Sequence, residues 1–178
     1  MPFEDNSFDK IFCLGALQHT PDFRKSIRSL AAKVKPGGEL VVDFYTIKGW
    51  WTKVHAKYFF RRFTKRMAHL RLLSKIEKNV DWMIRLYMFN YKIGLGKILN
   101  RFLPIPDIKA TMPDNLSKQE LRNWVVLDTY DMLSPEYDKP QTIKQVKAWV
   151  EEAGMQVTFA GFVDYNNAKA AVVRAVKK

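Results

Sequence analysis

The sequence predicts an α/β fold with a helical insertion, on three observations. Residues 8–45 read as strand, helix, tight turn and strand. Residues 142–176 read as a helix followed by two strands. Between them lies a long block with helical periodicity that holds all of the basic excess.

The first element is the apolar run Phe8–Leu14, which suits a buried parallel strand ending near Gly15. Apolar residues at Phe23, Ile27, Leu30, Ala31 and Val34 then share one helical face. Thr20 or Asp22 can cap that helix, and Pro21 suits its entrance. Lys33 and Lys35 complement its C-terminal end. Pro36-Gly37-Gly38 stops the helix and turns the chain. Glu39–Tyr45 is the next strand. Strand, helix and strand in so short a span imply a right-handed parallel crossover.

Residues 48–103 read as helical throughout. Trp50, Trp51, Val54, Tyr58, Phe59, Phe63, Met67 and Leu70 recur at steps of three and four. Lys53, Lys57, Arg61 and Lys65 form a basic stripe beside them. A second helix is expected over about 74–92, broken by Gly94 and Gly96, with a third over 97–103. Ser117 and Glu120 have the spacing of a capping box opening another helix. Residues 128–140 read as an irregular polar and aromatic loop. Thr142–Ala153 is an amphipathic helix ended by Gly154. Met155–Phe162 and Ala168–Val176 are strands joined through Asp164–Asn167, hence antiparallel neighbours. The organisation read from the sequence is therefore 1–47, 48–127 and 128–178, the middle part being the insertion.

The 178 residues carry a net charge of +12. Residues 48–109 hold 15 Lys/Arg against 3 Asp/Glu, so the rest of the chain is balanced. The same segment holds 11 of the 24 aromatic residues, which marks it as a separate module. The lone Cys13 excludes an internal disulfide and a cysteine-only metal cluster. Its apolar setting reads as an inert buried thiol. His55 and His69 have no carboxylate or cysteine at ligand spacing, so no metal is expected. The first residues do not form a signal peptide, and no apolar run reaches membrane-spanning length. The expected compartment is the cytoplasm, with peripheral membrane contact open.

"PFEDNSFDKIFCLGALQHT" followed by "VKPGGELVV" resembles the middle of the class I S-adenosylmethionine-dependent methyltransferases, in particular the group with a type-11 methyltransferase domain. "TIKQVKAWVEEAGMQV" is similar to that fold's last helix entering its sixth strand. The resemblance covers roughly 2–46 and 128–177. It implies the C-terminal part of a Rossmann-like sheet, strands 4, 5, 7 and 6 in spatial order, with strand 7 antiparallel. It also implies S-adenosylmethionine as cofactor. The glycine-rich loop and the ribose-binding acid of the family precede this segment and have no counterpart here. An N-terminally truncated chain is therefore expected, with little cofactor binding by itself and an exposed apolar edge at strand 4.

The resemblance places Leu14, Gly15 and Ala16 beside the cofactor, with Leu17 packing near it. His19 stands where the family often has a histidine, either contacting ligand, acting as base, or fixing the loop by hydrogen bonds. Asp5 and Asn6 would lie near the adenine-side loop. Tyr45, Asp131 and Tyr137 are candidate substrate-binding residues. Ligands in such sheets lie beyond the C-terminal ends of the strands.

The basic aromatic insertion fits three roles. It is a cap over the active site, an interfacial helical element on lipid, or a nucleic-acid surface. Trp and Phe close to the charges favour lipid over nucleic acid. The expected function is methyl transfer to a small or lipid-like acceptor. The alternatives are a basic membrane- or nucleic-acid-binding module on a half-domain, or an inactive fragment.

Overall fold

The computed structural model describes residues 2–47, 49, 54–165 and 168–178. Trp50, Trp51, Lys53, Asn166 and Asn167, used in the sequence reading, lie outside the described residues. The chain divides into two compact units, 1–48 with 137–178, and 49–136.

The first unit is built on a four-stranded sheet. Its strands are β1 (Phe8–Cys13), β2 (Val34–Phe44), β3 (Met155–Tyr165) and β4 (Ala168–Lys177), in the spatial order β1-β2-β4-β3. β1 and β2 are parallel, and β4 is antiparallel to both β2 and β3. This is the expected order 4, 5, 7, 6 with an antiparallel strand 7. The crossover between β1 and β2 is α1 (Phe23–Lys33), and α7 (Ile143–Glu152) precedes β3. Asp22 and Thr142 cap the two helices, each accepting from a backbone N–H three residues on.

Alternation along the strands explains the core. Leu40, Val42 and Phe44 of β2, with Ala171, Val173 and Ala175 of β4, turn to one face. There they meet Phe23, Ile27, Leu30 and Ala31 of α1 and Val146 and Val150 of α7. Each fully buried aliphatic side chain contributes about 1.5–3 kcal/mol. Phe12 and Phe162 on the strands remain 62% and 49% exposed.

The turn at Pro36-Gly37-Gly38 lies inside β2 and does not precede it. Val34 pairs with Phe8, and regular pairing resumes at Glu39 with Lys10, so residues 35–38 bulge out. Gly37 has φ +78, open to glycine at little cost. At Gly38 a Cβ would lie 2.8 Å from the carbonyl of Asp9, so only glycine lets the strands approach.

The second unit is helical. It holds α2 (Ala56–Thr64), α3 (His69–Lys92), α4 (Gly96–Leu99), α5 (Ile108–Thr111) and α6 (Lys118–Leu133), with a 3-10 turn at Asn100–Phe102. Its core is separate: Leu72, Ile76, Val80 and Met83 of α3 pack with Val125, Val126 and Leu133 of α6.

Three expectations change here. The helix predicted to run through 70 stops at Thr64, whose hydroxyl donates to the carbonyl of Leu133, and α3 already begins at His69. The basic stripe loses a member: Arg61 is buried, and its guanidinium donates to the carbonyl of Pro135 at 2.6 Å. The loop expected over 128–140 is helical up to Leu133. The Ser117 capping box fixes the start of α6, and the buried Val125, Val126, Thr129 and Leu133 hold its inner face to the end. The return to the sheet accordingly falls at 136/137.

Candidate functional site

β1 ends at Cys13, and the chain leaves the sheet through Leu14-Gly15-Ala16 into a short 3-10 turn, Leu17–His19. This loop lies at the C-terminal end of a parallel pair, where open α/β sheets bind ligands. Gly15 sits at φ +62, and a Cβ there would meet nothing within 4 Å. Backbone conformation alone therefore demands glycine, and the space beside it is open. Leu14 is 60% exposed and Ala16 is exposed. Leu17 is turned into the core of the first unit and supports the loop from beneath.

Two residues that the sequence reading did not select hold this loop. Asp43, on β2, accepts a hydrogen bond from the Gly15 N–H through its Oδ1. Gln18 is fully buried, donates from Nε2 to the carbonyl of Gly15 at 2.7 Å, and accepts at its own carbonyl from the Lys139 N–H. Its Oε1 has no hydrogen-bond partner among the described residues. A buried acceptor left unpaired costs about 1–3 kcal/mol, so this oxygen is a place for a donor. A carboxylate within the apolar run Leu-Val-Val-Asp-Phe was the available sequence cue for Asp43. Gln18 offered none.

His19 is half-buried. Its Nδ1 is 2.9 Å from the carbonyl oxygen of Tyr137, and its ring stands edge-on to Tyr45 with centroids 5.9 Å apart. A carbonyl oxygen can only accept, so neutral His19 carries its proton on Nδ1, and the Nε2 lone pair is left available. Tyr45 is 45% exposed at the end of β2. The strand is extended by a bridge from Thr46 to Gln141, with the Gln141 N–H donating to the Tyr45 carbonyl. Lys139 lies over the Tyr137 ring at 5.2 Å and donates from Nζ to the carbonyl of Pro21. His19, Tyr45 and Tyr137 thus come together beside Leu14–Ala16. Asp131 is an exposed residue of α6 in the second unit. Burial, and then the charge of Asp131, pushes the pKa of its helical neighbour Asp128 up.

Asp5 and Asn6 lie at the other end of β1. Asp5 pairs with Lys33 at 2.6 Å, and that hydrogen bond and charge hold its carboxyl below the usual range. Asn6 Oδ1 accepts from Lys177, whose ammonium also donates to the carbonyls of Ala31 and Ala32 at the end of α1. These residues cap a helix C-terminus. Burial, and then Asp43, raises the pKa of the half-buried Cys13, which argues against a thiolate nucleophile.

The strand order, with β1 and β2 parallel and β4 antiparallel, is that of one side of a Rossmann-like sheet. Residues 1–42 match the family model described as a methyltransferase domain. A tRNA U34 carboxymethyltransferase of Nautilia profundicola is 47% identical over 49 residues, which are 28% of this chain and 16% of that protein. An uncharacterised protein of Synechococcus is 26% identical over 164 residues, 88% of this chain and 32% of its own length. The chain thus spans less than a third of either relative. Among solved structures, PKMT2 from Rickettsia typhi has a similar fold, with a TM-score of 0.51 at 12% identity over 97% of this chain and 37% of that one.

Proposed function

We propose that the loop after β1 is part of a methyl-transfer site. Leu14, Gly15 and Ala16 lie along the cofactor, and His19 receives the proton of the methyl acceptor. The chemistry of the loop fits S-adenosylmethionine. Leu14 and Ala16 give an apolar edge, Gly15 leaves room, and the unpaired Gln18 Oε1 suits a cationic donor such as an amine. When bound, that cofactor supplies a methyl group already activated on a sulfonium, so alignment and exclusion of water matter more than covalent help. Leu14, Gly15 and Ala16 would hold that cofactor, which would supply the methyl electrophile to the acceptor's lone pair. His19 Nε2 takes the acceptor's proton. Tyr137, through its carbonyl, holds the ring in that tautomer, and Tyr45 packs beside it at a right angle.

The observation that carries this reading is the Nδ1 hydrogen bond of His19 to the Tyr137 carbonyl. It frees Nε2 on a residue beside the loop. The acceptor class we assign is a small or lipid-like molecule, supported by the aromatic and aliphatic surroundings of His19. The match to a tRNA-modifying enzyme covers 49 residues, 16% of that protein, and does not carry an RNA acceptor over to this chain.

Isotope feeding tests the reading. Cells expressing the protein are grown on methionine labelled in its methyl group, and small molecules and lipids are compared by mass spectrometry with cells lacking it. A labelled species present only with the protein, and lost in His19→Ala, is expected. Identical labelling with and without the protein refutes the assignment.

A further inference from the structure

We propose that the outer face of α3 docks on the surface of an anionic lipid bilayer. The inner face of this helix already has its core partners through Leu72, Ile76, Val80, Met83 and Tyr87, all buried. A second apolar row runs along the helix at steps of four, three and four: Trp82, Leu86, Phe89 and Ile93 at its cap. They are 46%, 37%, 55% and 46% exposed. Continued toward the N-terminus with the same steps, the row becomes Lys78, Lys75 and Arg71, all exposed. One face thus carries three cations and then four large apolar side chains along roughly 30 Å. Trp82 stands at the junction, where an indole sits well between headgroups and acyl chains.

The acidic residues of the helix are kept off this face. Glu77 and Asp81 lie on the side toward α6, where Arg122 takes the Asp81 carboxylate at 3.1 Å and the Glu77 carbonyl at 3.0 Å. The apolar exposure continues just beyond the helix at Ile98 and Phe102, 61% and 58% exposed, with Lys97 between α3 and Phe102. No helix among the described residues is long and apolar enough to cross a membrane, so the geometry is that of an element lying in the interface.

Charge selects the occupant. The surrounding segment has 15 cations and 3 acids, which complements an anionic surface. A second copy of this segment would bring 15 more cations and only 3 acids to meet Arg71, Lys75 and Lys78. A phosphate backbone would satisfy the cations and leave Leu86 and Ile93 in water. The proposal stands on the second unit alone and is independent of the methyl-transfer reading.

The test is sedimentation of the full 178-residue chain with vesicles of phosphatidylcholine, with and without phosphatidylglycerol. Binding to the anionic vesicles only, weakening with salt, is expected. The paired change Leu86→Ser and Phe89→Ser is expected to abolish it. Neutralising Arg71, Lys75 and Lys78 to Gln is expected to weaken it about a hundred-fold. Thermal melts show whether each variant folds. The Gln variants lose no packing, so they carry the test if the serine pair does not fold. Any of four results overturns the proposal: no preference for anionic vesicles; binding untouched by both folded variants; pelleting without vesicles through self-association that the serine pair abolishes; or polyuridylate binding in place of vesicle binding.

Discussion

At the scale of single residues, Asp43 and Gly15 set the shape of the candidate loop. The Gly15 N–H lies on an exposed loop, so water replaces Asp43 in part once the carboxylate is gone. Asp43→Ala is therefore expected to cost about 1 kcal/mol of unfolding free energy in urea. Exchange of the Gly15 amide should quicken at the same time. Asp43→Asn, which keeps the accepting oxygen, should recover most of both. Gly15→Ala meets no atom, so its cost is backbone strain alone, about 1–2 kcal/mol. A larger loss would mean the loop packs more closely than its open surroundings imply. The place of Leu14–Ala16 and His19 in a loop after β1 was legible from the sequence, because they follow an apolar strand. Asp43 stood out only as a carboxylate within an apolar run, and its role was hidden because the group it holds is a backbone N–H 28 residues away. Leu17 packs into the core of the first unit beneath the loop, a placement made by tertiary contacts.

Among the elements, α2 shows how a terminus can titrate. His55 caps this helix, its Nδ1 accepting from the Lys57 N–H. Burial, followed by the charges of Lys57 and Arg101, pushes its pKa down from 6.5 to about 4. Protonation removes the accepting lone pair, so the cap needs neutral histidine. Between these values the unfolded chain binds the proton that the folded one refuses. The contribution of His55 is thus fully present above pH 6.5 and is lost as pH falls toward 4. Urea unfolding at pH 7 and pH 5 should show a larger loss for the native chain than for His55→Ser, which caps without titrating; equal losses would remove His55 as the cause. At α6, Ser117→Ala removes the hydroxyl that accepts from the Glu120 N–H, leaves the Glu120 carboxylate accepting from the residue 117 N–H, and should cost about 1 kcal/mol. The capping box could be read directly, since it is a local pattern. The end of α2 could not: residues 65–68 contain no glycine or proline, and the stop depends on Thr64 bonding to Leu133, a tertiary contact. The far end of α6 was hidden for the opposite reason. Asp128, Asp131 and Ser134-Pro135 have loop chemistry, and burial of Val126, Thr129 and Leu133 outweighs it.

For the whole molecule, the charge boundary in the sequence and the two cores in the structure describe one division. The cluster around Ile27, Val42 and Val150 shares no residue with that around Ile76, Val80 and Val125. A cavity made in one core removes apolar contacts from that core alone. Ile27→Ala and Ile76→Ala should each cost about 2–5 kcal/mol locally. Hydrogen exchange followed by mass spectrometry separates the two effects, because local opening is reported segment by segment. Ile76→Ala should accelerate exchange in α3 and α6 and leave β1, β2 and β4 at their native rates. Ile27→Ala should do the reverse. Equal acceleration everywhere in either variant would mean that the chain opens as one cooperative unit. The helical segment would then be part of the sheet's stability. The segregated outcome would leave that segment free to vary in sequence without disturbing the loop after β1.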